Sequence, residues 1–294
     1  MSKAWGPLPP PMHQAPFPSV REDAGGIATL QELMAARNGQ GPRLLAGIIF
    51  DFDDTLAFLD RPHEDLMAEG ARMAQAYMEQ SGMELFPDFW EQIISARQFA
   101  QEKSEEEAEE HIANDTMSFL LQFCGYPASK MDSQVLAMSV DLFYAPEMRS
   151  WRLYDGVGAV LDRLRQLDVN LAIVANHPCE RVFQRIVDYL ELRPWFDVVL
   201  CSASVEWRKP SPEIFTPVLD RWRLQPYEVA VVGDSLRHDI GGGADLGTMT
   251  MHCDLGTTDR QTAYDNQQLA RRVRPDATLT DWQQFMDLVQ PWLY

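Results

Sequence analysis

The chain has 294 residues and a formal net charge of −19, because it contains 25 Lys and Arg residues against 44 Asp and Glu residues. Hydrophobic residues make up 46% and charged residues 23%, which is typical of a globular protein with a buried core and excludes collagen-like or disordered chains. So negative a chain is a poor partner for nucleic acid or for an anionic membrane, since both bind clustered Lys and Arg side chains. No apolar run reaches the length of about 18 residues that predicts a membrane-spanning helix.

The N-terminal extension, residues 1–43, differs in composition from the rest of the chain. Six prolines fall within its first 18 residues, which excludes a regular helix or a central strand there. Thr29 and Glu32 have the capping-box spacing and an apolar stripe follows, which together predict a short helix over 30–37. We expect the extension to pack against its own domain.

Nothing in the sequence marks the protein for export. The first forty residues contain no apolar stretch typical of a signal peptide. The four cysteines are far apart and form no CxxC pair, so we expect them to be reduced and buried. The cytoplasm is therefore the expected location, whereas the sequence leaves the oligomeric state open.

Short, unbroken apolar runs alternate with helical patterns through most of the chain, as is typical of strands buried on both faces of a parallel sheet. The predicted strands are 44–50, 171–174, 198–201 and 229–232, with edge strands at 248–252 and 277–279. The predicted helices are 157–166, 179–190, 212–223 and 239–246. This alternation predicts the α/β class, with a doubly wound, Rossmann-like parallel sheet.

Residues 61–149 break the alternation, because their apolar residues recur only at helical spacing. The pattern predicts four helices, and hence an all-helical domain inserted after the first strand. A run of acidic residues lies within this insertion, from Glu105 to Glu110. Such a run can bind a cation, but we expect it to form a solvated helix face.

Aspartates follow two predicted strands, at the edge where open parallel sheets bind their ligands. Asp51 and Asp53 follow the first strand, Asp234 follows the strand at 229–232, and Asp239 opens the next helix. Two carboxylates about 4 Å apart repel by roughly 4 kcal/mol at an effective dielectric constant near 20, so a bare cluster is unfavourable. Ligation by carboxylate oxygens alone predicts a bound Mg²⁺ ion.

Three segments follow one another along the chain: FDFDDTL at 50–56, RKPSPEIF at 208–215, which contains Lys209, and VVGDSLRHDIGGGADLG at 231–247. Together they resemble the haloacid dehalogenase superfamily, specifically its phosphatase branch with an α-helical, C1-type cap. The resemblance covers roughly residues 44–255 on these motifs. It implies an α/β core formed by 44–60 and 150–294, with 61–149 as the cap domain.

The resemblance implies a Mg²⁺-dependent phosphatase that acts on a small phosphorylated metabolite. Asp51 is the implied nucleophile, which forms an aspartyl-phosphate, and Asp53 is the implied general acid and base at the leaving oxygen. Lys209 is implied to neutralise charge on the phosphoryl oxygens. The implied Mg²⁺ ligands are Asp51, the backbone carbonyl of Asp53, Asp234 and Asp239. A halide leaving group needs no acid, so Asp53 favours a phosphatase over a dehalogenase.

One position departs from the family pattern, because Ala175 stands where a Ser or Thr hydroxyl is expected to bind the phosphoryl group. A hydrogen bond to a charged group contributes about 1.5–3 kcal/mol, or roughly 10- to 150-fold in rate. We therefore expect weakened turnover, with Thr55, Asn176 and Lys209 as the substrate-binding side chains. Two alternatives stay open: a phosphomutase of the same superfamily, and a phospho-ligand binding protein with little or no activity.

Overall fold

A six-stranded parallel sheet forms the centre of the computed structural model, which describes residues 45–293. In spatial order its strands are β5 (Val198–Cys201), β4 (Asn170–Ala175), β1 (Gly47–Phe50), β6 (Val229–Gly233), β7 (Met249–Cys253) and β8 (Ala277–Leu279). All neighbouring strands run parallel. The predicted α/β class is therefore confirmed, and β1 lies at the centre of the sheet.

A two-stranded antiparallel sheet, β2 (Ala57–Leu59) with β3 (Trp151–Leu153), marks the place where the chain leaves the central sheet and returns. Between these strands lie four helices: α1 (His63–Gln80), α2 (Phe89–Glu107), α3 (Ala113–Phe123) and α4 (Ser133–Ser150). At Gly70 a Cβ atom would lie 1.8 Å from the Phe143 carbonyl oxygen, so only glycine permits α1 and α4 to pack this closely. The division into cap and core domains stays a prediction.

Seven further helices lie between and after the strands of the central sheet. They are α5 (Val157–Gln166), α6 (Glu180–Tyr189), α7 (Ser202–Val205), α8 (Thr216–Trp222), α9 (Gly242–Leu246), α10 (Arg260–Leu269) and α11 (Phe285–Leu293). Within residues 45–293 no helix combines the length and the apolar character that crossing a bilayer requires.

Two hydrophobic clusters cover the sheet, one on each face. Because side chains alternate along a strand, Ile48 and Phe50 of β1 join one cluster and Ile49 joins the other. The first cluster takes in α5, α6 and α11, and the second takes in α8. Because helices cover both faces, the sheet is open at the ends of its strands, and the site lies at their carboxyl ends.

Several sequence-based predictions need correction or lie outside the described residues. The strand predicted at 248–252 is not an edge strand, because β8 pairs beyond it. The helix predicted over 239–246 is split into a π-helical turn, Leu236–Gly241, and α9. The helix predicted over 212–223 begins as a 3₁₀ turn, Pro212–Ile214, before α8. The extension 1–43 and its predicted helix over 30–37 lie outside the described residues.

Candidate active site

Asp51 begins the loop that follows β1, at the carboxyl end of the central strand. Its backbone N–H donates to the Val232 carbonyl oxygen (2.8 Å), so the loop leaves the sheet in line with β6. The N–H groups of Leu56 and Ala57 both donate to the Phe52 carbonyl oxygen (3.0 Å each), which turns the chain sharply. The turn leaves the Asp51 carboxylate in a buried position at the strand end.

Asp54 fixes this loop from the other side. Its backbone has a φ of 51°, in the left-handed region that Asp tolerates better than most residues. Its carboxylate accepts hydrogen bonds from the N–H (2.5 Å) and the hydroxyl group (2.9 Å) of Thr258. Asp54 thereby ties the loop that carries Asp51 and Asp53 to the segment after β7.

Lys209 reaches the same strand end from the segment that follows α7. Its buried ammonium group donates to Asp51 Oδ1 and, at 2.7 Å, to Asp239 Oδ1. Asn176, directly after β4, holds the Lys209 backbone on both sides: the Lys209 N–H donates to Asn176 Oδ1 (2.8 Å), and Asn176 Nδ2 donates to the Lys209 carbonyl oxygen (3.1 Å). Burial lowers the pKa of Lys209, but the charges of Asp239 and Asp51 outweigh burial and raise it above its usual value.

Asp234 directly follows β6 and is held on three sides. Its carbonyl oxygen accepts from His252 Nε2 (2.9 Å) and from Asn266 Nδ2 (2.8 Å). Its Oδ2 accepts from the Thr257 hydroxyl group (2.9 Å). These contacts fix the carboxylate beside the end of β1, where it is 6% exposed.

Asp239 lies in the π-helical turn Leu236–Gly241, which brings its side chain back toward the end of β6. The N–H of Ser235 donates to Asp239 Oδ2 (3.0 Å), while Oδ1 binds Lys209. Gly233 makes room for this arrangement, because a Cβ atom there would lie 2.2 Å from Asp239 Cγ. The side chain of Asp239 is therefore enclosed between the strand end and the turn.

Carboxylate oxygens of Asp51, Asp234 and Asp239 lie within 4.8 Å of one another. All three residues are buried, and the single charge of Lys209 neutralises only one of the three negative charges. A hard dication with oxygen ligands, such as Mg²⁺, compensates the remaining charge and suits this donor set. The residues therefore fit the predicted metal, whereas the Asp53 carbonyl group as a further ligand stays a prediction.

The pKa values of these carboxyl groups reflect burial and mutual repulsion in the metal-free protein. Burial raises the pKa of Asp51 to about 6, with Lys209 opposing the shift and Asp239 adding to it. Burial and the charges of Asp51 and Asp239 raise the pKa of Asp234 well above its usual value. A bound cation would remove the repulsion that causes part of these shifts.

Asp53 lies on the outer side of the cluster, and its side chain is exposed. Its pKa is nevertheless raised well above the usual value. Desolvation of the carboxyl group is the largest cause, and the negative charges of Asp54 and Asp234 add to it. A carboxyl group whose pKa is raised and that faces outward is suited to protonating a departing oxygen. The two-residue offset from Asp51 thus separates a buried carboxylate from an accessible acid.

Thr55 does not occupy the position that a substrate-binding residue requires. Its side chain is fully buried, and its hydroxyl group donates to Asp51 Oδ2 at 3.4 Å. Its carbonyl oxygen accepts from Trp282 Nε1 (3.2 Å). Thr55 therefore orients Asp51, and Asn176 likewise supports Lys209, so two of the three side chains predicted to bind substrate contact other site residues.

Ala175 ends β4 and presents only a methyl group beside the site. His177, two residues further, is buried, and its Nδ1 accepts from the Cys179 N–H (3.1 Å). Its ring contacts that of Tyr144, with 5.4 Å between the centroids, and its Nε2 has no hydrogen-bond partner among residues 45–293. Burial lowers the pKa of His177, so the imidazole is neutral near pH 7.

The helical insertion contributes polar side chains near the site, and of these the sequence indicated His63 as a candidate but not Arg97, Tyr144 or Glu147. Arg97 Nε donates to the Tyr144 hydroxyl group (3.1 Å), and His63 Nε2 lies 3.5 Å from Glu147 Oε2. Arg97 forms no salt bridge with a carboxylate in the described part of the chain. Its position four residues after the buried Ile93, on the apolar stripe of α2, is the signal that could have identified it.

The acidic run of the insertion is only partly the solvated face that its sequence predicts. Glu106 and Glu107 are exposed, as expected. Glu105 and Glu110 instead contact the guanidinium group of Arg208, each at 2.6 Å, and the Glu110 side chain is fully buried. Two residues of the run therefore bind a positive charge, which belongs to an arginine side chain in the segment after α7.

A comparison with protein families matches residues 45–247 to the haloacid dehalogenase-like hydrolases. The haloacid dehalogenase-like hydrolase domain-containing protein 3 of Bos taurus is 31% identical over 130 residues, which are 44% of this chain and 51% of that protein. The chain thus aligns with about half of the cattle protein. The glyceraldehyde 3-phosphate phosphatase of Methanopyrus kandleri is 25% identical over 215 residues, covering 72% of this chain and 85% of that protein.

Among solved structures, the 2-haloacid dehalogenase of Pseudomonas syringae pv. Tomato superposes with a TM-score of 0.61. The alignment covers 84% of this chain and 99% of that chain at 19% sequence identity. At so low an identity the likeness concerns the fold alone. It agrees with the α/β fold of the central parallel sheet.

Proposed function

Since the chain belongs to the haloacid dehalogenase-like hydrolases, we propose that it is a Mg²⁺-dependent phosphatase of a small phosphorylated metabolite. One observation carries the proposal: the Asp51 carboxylate lies at the end of the central strand, with the Lys209 ammonium group on one of its oxygens and two further carboxylates beside it. This arrangement joins a nucleophile, a fixed positive charge and a set of cation ligands within one small volume.

In the first step, an Asp51 oxygen attacks phosphorus and the bond from phosphorus to the leaving oxygen breaks. Asp53 gives its proton to that oxygen, so the leaving group departs as an alcohol and an aspartyl-phosphate forms on Asp51. Lys209 stabilises the charge that develops on the phosphoryl oxygens. The raised pKa of Asp53 supports this role, because the carboxyl group must start protonated.

In the second step, water attacks the phosphorus of the aspartyl-phosphate and Asp53 takes the proton of that water. Inorganic phosphate leaves and Asp51 is regenerated. Asp51, Asp234 and Asp239 would hold the Mg²⁺ ion, which supplies positive charge to the phosphoryl oxygens when bound. An acid at position 53 favours an ester oxygen over a halide as leaving group, which supports phosphatase over dehalogenase activity.

The helical insertion is the proposed source of the leaving-group side of the site. The charge of Glu147 helps to raise the pKa of Asp53, so α4, which carries Glu147, lies near the proposed acid. Arg97 offers a guanidinium group without a carboxylate partner in the described residues, and His177 offers an unpaired Nε2. These groups support recognition of a polar or anionic leaving group.

A phospho-ligand binding protein is the second candidate, and Ala175 is the observation that favours it. The end of β4 lacks the hydroxyl group that would hold the phosphoryl group, although the nucleophile and lysine are present. Retention of Asp53 with a raised pKa argues against this candidate, since binding alone requires no general acid.

Hydrolysis of p-nitrophenyl phosphate with and without Mg²⁺ tests the proposal, followed by a panel of phosphate esters with and without a carboxylate on the leaving group. We expect activity that requires Mg²⁺ and falls by roughly 10⁴-fold or more in Asp51→Asn. Asp60→Asn is the matched control, because Asp60 pairs with Arg152 away from the cluster. Mass spectrometry after acid quench should find one phosphoryl group on the peptide that contains Asp51.

A folded, Mg²⁺-binding protein that hydrolyses no ester of the panel would exclude the phosphatase and favour the binding protein. Equal losses in Asp51→Asn and Asp60→Asn would exclude Asp51 as the nucleophile. A phosphoryl group on a different residue would also contradict the proposed intermediate.

A further inference from the structure

Two pairs of adjacent residues connect the site to the helical insertion. In the first pair, Lys209 faces the carboxylate cluster and Arg208 faces the insertion. In the second pair, Asp239 faces the cluster and His238 faces the insertion. Lys209 and Asp239 bind each other on the site side. Each pair therefore offers one side chain for the chemistry and one for contact with the insertion.

Glu105, in the last turn of α2, bridges the two outward-facing side chains. Its Oε1 accepts from Arg208 Nη2 at 2.6 Å, and its Oε2 lies 2.9 Å from His238 Nε2. On the other side of the guanidinium group, Glu110 Oε2 accepts from Arg208 Nη1 at 2.6 Å and from the Ser202 hydroxyl group at 2.5 Å. A single carboxylate of the insertion thus holds the chain neighbours of both Lys209 and Asp239.

Backbone hydrogen bonds extend the same contact. The Glu110 N–H donates to the Glu206 carbonyl oxygen (2.6 Å), and the Arg208 N–H donates to the Ala108 carbonyl oxygen (3.1 Å). Between them, Glu109 and Trp207 form an isolated antiparallel bridge. The segment just before Lys209 is therefore paired along its backbone with the end of α2 and the residues after it.

The chemistry of this contact favours a positioning role over a stabilising one. The side chains of Arg208 and Glu110 are 3% and 0% exposed, and burying such charges costs free energy that apolar residues of similar size would not cost. Arg208 Nε and Glu110 Oε1 have no hydrogen-bond partner in the described residues. Charged groups fix direction and distance, however, and they regain hydration if the two surfaces separate.

We propose that Glu105, assisted by Glu110, is a positioning residue: by binding Arg208 and His238 it holds the segments that present Lys209 and Asp239 to the site. The proposal rests on the proposed function for its catalytic consequence, but its structural consequence is independent. The contact between the insertion and these segments is then coupled to the formation of the Lys209–Asp239 ion pair.

The variant Glu105→Gln tests the proposal, because it removes the charge and keeps the size of the side chain. Glu106→Gln is the matched control, since Glu106 is exposed on the same helix and pairs only with Lys103 among the described residues. With p-nitrophenyl phosphate and Mg²⁺, we expect kcat to fall about tenfold in Glu105→Gln, with KM changed less than about threefold. Arg208→Lys should retain part of the rate, because a lysine can satisfy one carboxylate but not both.

Two further measurements distinguish positioning from general destabilisation. Hydrogen exchange followed by mass spectrometry should become faster in both 206–212 and 235–241 in Glu105→Gln and remain unchanged in Glu106→Gln. In a Lys209→Met background, Glu105→Gln should cause a smaller loss of rate than in the natural chain, since part of its effect acts through that lysine. Glu105 is partly exposed, so its variant should fold even where Glu110→Gln does not.

Unchanged exchange in both segments would overturn the proposal, as would kinetics of Glu105→Gln that match those of Glu106→Gln. A loss of rate as large in the Lys209→Met background as in the natural chain would show that Glu105 does not act through Lys209. If the wild-type protein hydrolyses no phosphate ester, the proposed function fails, and the exchange experiment still decides the positioning role.

Discussion

At the scale of single residues, Lys209 offsets part of the negative charge that Asp51, Asp234 and Asp239 bring together. Unit charges about 4 Å apart interact by roughly 4 kcal/mol at an effective dielectric constant near 20, so each of its two ion pairs balances a repulsion of similar size. One ammonium group cannot balance three carboxylates. The remaining negative charge would repel a phosphate ester, so the site requires a cation before it can accept an anionic substrate.

Ala175→Ser is a prediction at the same scale. If the protein is a working phosphatase, the variant should raise kcat/KM by about tenfold, the lower end of the range for one hydrogen bond to a charged group, because Asp51, Asp53 and Lys209 already supply most of the stabilisation. The added hydroxyl group would donate one hydrogen bond to a phosphoryl oxygen. Steady-state kinetics with p-nitrophenyl phosphate and Mg²⁺ measure the change, with Ala263→Ser on the exposed surface of α10 as the control.

The size of the gain separates the two candidate functions. A rise of more than about 100-fold from almost no activity would indicate that the natural chain binds phospho-ligands without useful turnover. A loss of activity would show that position 175 does not face the phosphoryl group. An equal response of Ala263→Ser would assign the effect to something other than the strand end.

At the scale of elements, the strand ends explain how much of the site the sequence could predict. A strand buried on both faces reads as an unbroken apolar run, and parallel strands place their carboxyl ends at one edge. The sequence therefore predicts that Asp51 and Asp234 lie together, and their oxygens do lie close. The strands β2 and β3 escaped prediction; they pair with each other across the whole helical insertion, which no local pattern indicates.

Contacts between elements far apart in the chain account for what the sequence could not predict. The partner of Glu105 and Glu110 is Arg208, which is 103 and 98 residues away, and no local pattern encodes such a pairing. In isolation an acidic run at the end of a helix is indistinguishable from a solvated face. The same reason hid the role of Asn176, whose amide is used by the Lys209 backbone across 33 residues.

Gly233→Ala is the prediction that belongs to this scale. The added methyl group would lie 2.2 Å from Asp239 Cγ, so the Asp239 side chain must move away from the strand end and from Lys209. We expect kcat/KM to fall about 100-fold, through loss of a proposed cation ligand and of the lysine's partner. Crowding should also lower the free energy of unfolding by about 1–3 kcal/mol. Kinetics and urea unfolding measure the two effects.

Gly158→Ala is the matched control, because nothing lies within 4 Å of a Cβ atom at Gly158 in α5. Alanine is the better helix former, so this variant should be as stable as the natural protein or more stable by about 0.5–1 kcal/mol. Full activity in Gly233→Ala would contradict the placement of Asp239 as a necessary part of the site.

At the scale of the whole molecule, the buried carboxylates should make stability depend on pH and on metal. A carboxyl group whose pKa is raised by folding binds more protons in the folded than in the unfolded state, so it lowers stability as pH rises. Asp51, Asp53 and Asp234 all shift in this direction. Glu105 shifts the other way, to a pKa of about 2, and its stabilising effect is complete above about pH 5.

We therefore predict that the metal-free protein loses stability between pH 5 and pH 7. The pKa of Asp51 rises from 3.8 to about 6, which alone corresponds to a loss on the order of 3 kcal/mol between about pH 3 and pH 7, and roughly 1 kcal/mol of this falls between pH 5 and pH 7. Mg²⁺ should restore stability, and more strongly at pH 7.5 than at pH 5, because it binds ionised carboxylates; at a concentration 100 times its Kd it contributes about 2.7 kcal/mol. Urea unfolding followed by circular dichroism, with EDTA or with Mg²⁺, measures both effects.

Asp234→Asn provides the control, because the amide removes one negative charge from the cluster without a large change in shape. This variant should be more stable than the natural protein at pH 7 without metal, and Mg²⁺ should stabilise it much less. The pKa of His63 is raised and that of His177 is lowered, so the effects of these two histidines on the pH dependence of stability oppose each other. A metal-free stability that is constant or rises from pH 5 to pH 7 would mean that the carboxylates are not held together in solution. The charge repulsion that makes this a cation site would then be absent.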